Sequence, residues 1–161
     1  MMIKVTESPL KLIEIKSLEH SVKTIANSDD DRVILEDSII KVDFDKQYNN
    51  KNDDFFRLCL KLSISPPRKR KGYKISCLIH GYFYIQDRKS APSSNGLENS
   101  ALAMVISYSR SYLKTLTYNC PYGTYILPSF DMQELVSKKL ELLKKELDKE
   151  IAKNKTKTVE Y

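Results

Sequence analysis

Two stretches decide the fold: Gly81-Tyr82-Phe83-Tyr84-Ile85, and the segment 100–118, Ser-Ala-Leu-Ala-Met-Val-Ile-Ser-Tyr-Ser-Arg-Ser-Tyr-Leu-Lys-Thr-Leu-Thr-Tyr. The first is the end of a strand. The second carries only Arg110 and Lys114 as charges, and Leu102, Val105, Ile106, Leu113 and Leu116 recur in it at spacings of three, four and seven. That period predicts a helix, and Met104, Tyr108 and Tyr112 add a second apolar row four residues apart. A helix apolar on most of its circumference has to be covered twice. Its own sheet is expected on one side and another copy of the chain on the other, so Met104, Tyr108 and Tyr112 are the candidates for an oligomer contact.

Beyond the helix, Cys120-Pro121-Tyr122-Gly123-Thr124-Tyr125-Ile126-Leu127-Pro128-Ser129-Phe130-Asp131 holds prolines and a glycine that forbid helix and set an extended, turned connector. Asp131, with Glu134 three residues on, then predicts a capped helix start. This last helix, from Met132 to about Lys153, places Met132, Val136, Leu140, Leu143, Leu147 and Ile151 on one stripe expected to be buried. Residues 154–161 are expected to form a mobile tail after a single domain over 1–153.

Upstream the period changes to two. Residues 10–25 alternate with a change of phase near Leu12 and Ile13, which predicts a bulged first strand, ended by the polar run 27–31. Ile40, Val42 and Phe44 alternate with Lys41, Asp43 and Asp45, and a solvated loop is expected over 46–54. Phe56, Leu58, Leu60, Leu62 and Ile64 give the cleanest alternation in the chain. Pro66 to Gly72 closes a hairpin, and Ile75, Cys77, Ile79, Phe83 and Ile85 put the fourth strand's apolar side on the core. The fold class is therefore α+β, a four-stranded antiparallel sheet followed by two helices packed on one face.

A strand ending in Gly-aromatic-aromatic-X-Ile, a helix with Tyr108-Ser109-Arg110, then Pro121, Leu127-Pro128, Phe130 and Leu135 resembles the bacterial export chaperone SecB and its SecB-like relatives, over about residues 10–149. The family's Pro-(Ile/Val)-Asn-Phe is shortened here to Pro128-Ser129-Phe130. The resemblance implies an ATP-independent holdase that keeps unfolded or aggregation-prone polypeptides in an apolar, aromatic-lined groove. Tyr122, Tyr125, Ile126, Leu127, Phe130 and Leu135 are the positions it implies for that groove. The doubly apolar helix adds the expectation of a dimer or tetramer. Relatives in toxin-antitoxin systems serve a single antitoxin, so a dedicated module for one partner is the alternative. In the export chaperones acidic residues on the exposed sheet face dock the translocation motor, and here Lys74, Ser76 and Lys23 stand nearest those positions. Motor docking is thus not expected.

Charge and chemistry exclude more than they assign. Arg68-Lys69-Arg70-Lys71 and a net charge of +6 would suit an acidic partner, and a basic nucleic-acid-binding domain needs aromatics such as Tyr73 and Tyr82 interleaved with that charge. A solvated turn explains the run as well, and nucleic acid is not the expected partner. His20 and His80 lack partners at triad or ligand spacing, Asp29-Asp30-Asp31 lacks the glycine and distal glutamate of a calcium loop, and the four glycines never fall in Gly-x-Gly. No catalytic residue, metal or cofactor is expected. Three dispersed cysteines, Cys59, Cys77 and Cys120, are expected to be buried reduced thiols. With no apolar run of about eighteen residues and no signal-peptide pattern after Met1, a cytoplasmic protein outside the membrane is expected.

Overall fold

The computed structural model describes residues 8–26, 30–33, 35–68, 70–87 and 94–157. The chain divides into two units, Met1–Pro128 and Ser129–Tyr161. The first holds strands β1 (Leu10–Ile25), β2 (Asp30–Val33), β3 (Ile39–Asn49), β4 (Asn52–Ser65) and β5 (Arg70–Ile85), followed by helix α1 (Ser94–Thr117). The second holds helix α2 (Met132–Lys157). The architecture is α+β: β1, β5, β4 and β3 lie side by side in that order, every neighbouring pair antiparallel.

Alternation sets which side of the sheet is dry. On β4 Phe56, Leu58, Leu60, Leu62 and Ile64 are buried, and on β5 Tyr73, Ile75, Cys77, Ile79, Phe83 and Ile85 lie against the same side. Cross-strand pairs of large apolar side chains hold such a face together. Helix α1 packs on this face against β1, β5 and β4. Its buried row includes Ala101, Leu102, Val105, Ile106 and Leu113, whereas Met104, Tyr108 and Tyr112 remain half-buried. Gly81 marks the closest approach, because a Cβ there would stand 2.6 Å from Val105 Cγ2 and 2.7 Å from Phe83 Cε2. Two polar residues share the buried row and are satisfied within the helix: Ser109 Oγ donates to the Val105 carbonyl at 2.7 Å and Thr117 Oγ1 to that of Leu113 at 2.8 Å.

The expected bulge in β1 is present, with register shifts between Leu12 and Glu14 and between Ser17 and Glu19. Elsewhere the structure departs from the sequence expectations. The loop over 46–54 shrinks to a two-residue turn, Asn50 and Lys51, because Tyr48 packs on Phe56 at 5.8 Å and Phe56 stacks on Phe83 at 5.2 Å, so the apolar ladder continues. Asn49 Oδ1 and Asn52 Oδ1 close the turn by accepting from the amides of Lys51 and Asp54, each at 2.9 Å. A fifth strand, β2, lies parallel to the start of β5 through Asp30 opposite Arg70 and Val33 opposite Lys71, where a simple polar break is expected. Helix α1 begins at Ser94, ahead of residue 100, since Leu97 extends the buried row and Glu98 pairs with Lys46 at 2.8 Å. Only Cys77 of the three free cysteines is buried; Cys59 and Cys120 are partly exposed.

In the second unit Asp131 caps α2 as expected. Its Oδ1 accepts from the amides of Gln133 at 2.9 Å and Glu134 at 3.1 Å. The helix continues past Lys153 to Lys157, and residues 158–161 lie outside the described chain. The stripe expected to be buried is covered only at its start: Met132 and Val136 are half-buried, whereas Leu140, Leu143, Leu147 and Ile151 are each 46% to 57% exposed.

Candidate functional site

The connector after α1 is a strap fastened at several points. Tyr73, fully buried at the start of β5, donates from its hydroxyl to the Gly123 carbonyl at 2.7 Å and accepts from the Tyr122 amide at 2.9 Å. Thr117 Oγ1 accepts from the Tyr125 amide at 2.8 Å, and Arg110 donates to the Pro128 carbonyl at 3.2 Å. The turn that begins the strap closes by a bond from the Gly123 amide to the Cys120 carbonyl at 3.0 Å, with Gly123 at φ 78°, a conformation other residues rarely adopt.

Past that turn the strap alternates like a strand. Tyr125 and Leu127 point inward and are 1% exposed; Thr124 and Ile126 point outward, and Ile126 is 73% exposed. Of the groove positions expected from the sequence, Tyr125 and Leu127 thus turn inward, Ile126 turns outward and Tyr122 lies between. Tyr125 and Leu127 serve as anchors, with burial raising the Tyr125 phenol above its ordinary value while its side chain hydrogen-bonds Ser38. Tyr122 is half-buried, its ring 5.5 Å from that of Tyr73 and its hydroxyl donating to the Ile25 carbonyl at 3.1 Å. Phe130 and Leu135 belong to the second unit, where each is half-buried.

Ile126 forms one wall of a cleft of about 340 Å³ with Thr124, Val33, Leu35 and Glu36. Val33 ends β2, and Leu35 opens the 3-10 turn Leu35–Asp37, which Ser38 closes by donating to the Leu35 carbonyl at 2.6 Å. These two wall residues are missed by the sequence reading. Their only signal is the apolar step that follows Asp29-Asp30-Asp31, too short to show a period.

The basic hairpin takes a different part from the one its charges suggest. Arg70 pairs with Asp37 at 2.8 Å and so ties the cleft's far wall to β5; Arg68 is exposed, Lys71 sits in the ladder opposite Val33, and Lys69 lies outside the described residues. Tyr73 faces the core, and Tyr82 sits eleven residues along β5 from Lys71, on the order of 36 Å away at the rise of a strand. The hairpin's charge and those aromatics therefore share no surface. On the sheet face away from α1, Lys23 stands directly opposite Lys74 and Ser21 opposite Ser76.

The three candidate contact residues on α1 come together as a row. Tyr108 stacks on Tyr112 at 5.9 Å, and the Tyr112 hydroxyl meets His20 Nδ1 at 2.8 Å. His80 is buried on β5, where desolvation, with Arg57 adding to it, lowers its imidazole below the ordinary value. Among the described residues no three His, Cys, Asp or Glu side chains cluster in a way that could hold a metal ion, and no helix is long and apolar enough to cross a membrane.

A four-stranded antiparallel sheet carrying a long helix, a pinned connector and a further helix is a SecB-like fold. Among solved structures the chain is similar to Rv1957, the SecB-like chaperone of Mycobacterium tuberculosis solved in complex with a ChAD peptide from the Rv1956 HigA1 antitoxin. The TM-score is 0.50 at 12% identity, over 76% of this chain and 91% of that one. It also matches a Streptococcus agalactiae protein of unknown function, at a TM-score of 0.44 and 13% identity, over 75% of this chain and 97% of that one. No protein-family model and no curated protein matches the sequence.

Proposed function

We propose that this protein is an ATP-independent, non-enzymatic chaperone that holds aggregation-prone polypeptide segments at the connector cleft. The observation that carries this reading is Ile126, 73% exposed on a strap fixed by Tyr73, Thr117 and Arg110, facing Val33 and Leu35. A large aliphatic side chain held out to water on a rigid mount gains free energy whenever an apolar client side chain covers it, and the fixed backbone adds little ordering cost. Val33, Leu35 and Ile126 supply the apolar part of a cleft that Thr124 and Glu36 complete, and aliphatic side chains demand no single client geometry.

A dedicated role, in which one aggregation-prone partner such as an antitoxin is the client, is the second reading, and the antitoxin peptide in the similar chaperone favours it. Homo-oligomerisation through Met104, Tyr108 and Tyr112 belongs to both readings. Delivery to a secretion motor through an acidic sheet face has no support, because lysines occupy the paired positions 23 and 74.

The test is retention of an unfolded polypeptide by the full chain. Retention is expected to persist at high salt, to be indifferent to ATP and magnesium, and to fall at least tenfold in Ile126→Asp with the circular dichroism unchanged. Neutralising Arg68, Lys69 and Lys71 is expected to leave it nearly intact, whereas phosphate-mediated binding would weaken by orders of magnitude between about 50 and 200 mM salt. Retention that survives Ile126→Asp and collapses with salt would overturn the reading.

A further inference from the structure

Helix α2 carries an apolar stripe that reads the same from either end. Met132 and Ile151 lie equally far from the midpoint between residues 141 and 142, as do Val136 and Leu147, and Leu140 and Leu143. The last four of these residues in the middle of the helix follow the alternating four-three-four spacing of a coiled-coil seam. Within one chain Met132 and Val136 are half-buried, yet Leu140, Leu143, Leu147 and Ile151 are 46% to 57% exposed. We propose that α2 pairs antiparallel with α2 of a second copy about a two-fold axis through that midpoint.

Two-fold pairing places each seam residue opposite the one equally distant from the axis, while residues flanking the seam on one side of the helix meet those on the same side of the second copy, so the symmetry of the stripe is what an isologous contact requires. Leu140 then faces Leu143 of the second copy, Val136 faces Leu147, and Met132 faces Ile151 at both ends. The flanking charges select this direction. Lys139 and Glu146 each precede a seam leucine, Leu140 and Leu147, and antiparallel pairing sets Lys139 beside Glu146 of the second copy, twice. Parallel pairing would set Lys139 against Lys144 instead, a like-charge contact at each end. The inference stands apart from the client reading, since it involves neither Ile126 nor the strap.

The test uses the full chain and follows its mass by sedimentation over a range of concentrations. Lys139→Glu and Glu146→Lys are each expected to weaken self-association about tenfold, because both ends then oppose like charges. The double variant and an equimolar mixture of the two single variants are both expected to return to within about twofold of the wild type, since opposite charges again face each other at both ends. Rescue by mixing is a result that no effect within one chain can give. Leu143→Asp, with helicity unchanged, is expected to remove the association step made by α2 and to leave any step made through Met104, Tyr108 and Tyr112 in place. Single reversals without effect, or a mixture that associates no better than its components, would overturn the pairing. Loss of client retention in Leu143→Asp at unchanged mass would overturn it as well, and would assign the stripe to the client.

Discussion

Tyr73→Phe isolates what fastens the strap. The ring is fully buried and stays, so the packing of the core face is unaltered, and only the hydroxyl leaves. That hydroxyl serves two backbone groups, the Gly123 carbonyl at 2.7 Å and the Tyr122 amide at 2.9 Å, which lose their partner together. Stranding a buried backbone group costs about 1 to 3 kcal/mol, and the half-buried setting of Tyr122 puts each of these near the lower end, for a total of about 2 to 3 kcal/mol. For a chain of 161 residues this corresponds to a fall in Tm of roughly 5 to 10 °C. The assay is thermal unfolding together with hydrogen exchange at the Tyr122 amide, which is expected to exchange faster in the variant. Client retention through Ile126 is expected to drop as the mount loosens. A Tm shift below about 1 °C with unchanged exchange would refute the assignment of Tyr73 as the peg.

Other perturbations give equally direct readings. Gly81→Ala places a methyl 2.6 Å from Val105 Cγ2 beneath α1, and overpacking of about 1 to 3 kcal/mol is expected in urea unfolding; a neutral result would mean that the helix sits further off the sheet. Asp131→Ala removes the cap of α2 and is expected to cost about 1 kcal/mol of local helix stability, visible as fraying of the Gln133 and Glu134 amides in hydrogen exchange. Burial pushes the Cys77 thiol from 9.0 up to about 11, so the folded state keeps a proton that the unfolded chain releases. That contribution is complete below about pH 9 and is lost as the pH climbs to about 11, amounting to about 2 to 3 kcal/mol. Urea midpoints of wild type and Cys77→Ala are therefore expected to converge over that window, and parallel pH profiles would contradict it.

Periodicity speaks about one element at a time, and it was sufficient where burial is decided by a nearest neighbour. The alternation of Phe56 to Ile64 and the rows Leu102–Val105–Ile106–Leu113 and Met104–Tyr108–Tyr112 determined by themselves that a one-sided sheet meets a helix apolar on two sides, and Asp131 with Glu134 fixed where the last helix starts. The strap was legible as an extended segment from its prolines and glycine, but not which of its side chains turn in. That depended on Tyr73 and Thr117, polar residues inside apolar rows whose hydroxyls reach backbone groups up to about fifty positions away and so leave no local pattern. The same holds for the cleft: Val33 and Leu35 acquire meaning only once β2 pairs with β5 and Arg70 reaches Asp37. Sequence alone determined the four antiparallel strands, the two helices and the dry face of the sheet, because local spacing dictates which side of an element must leave water, but not β2, the tight turn at Asn50 and Lys51 or the exposure of the α2 stripe. Tertiary structure alone decided that Tyr125 and Leu127 anchor while Ile126 is presented, because that choice is made by contacts between residues distant in the chain.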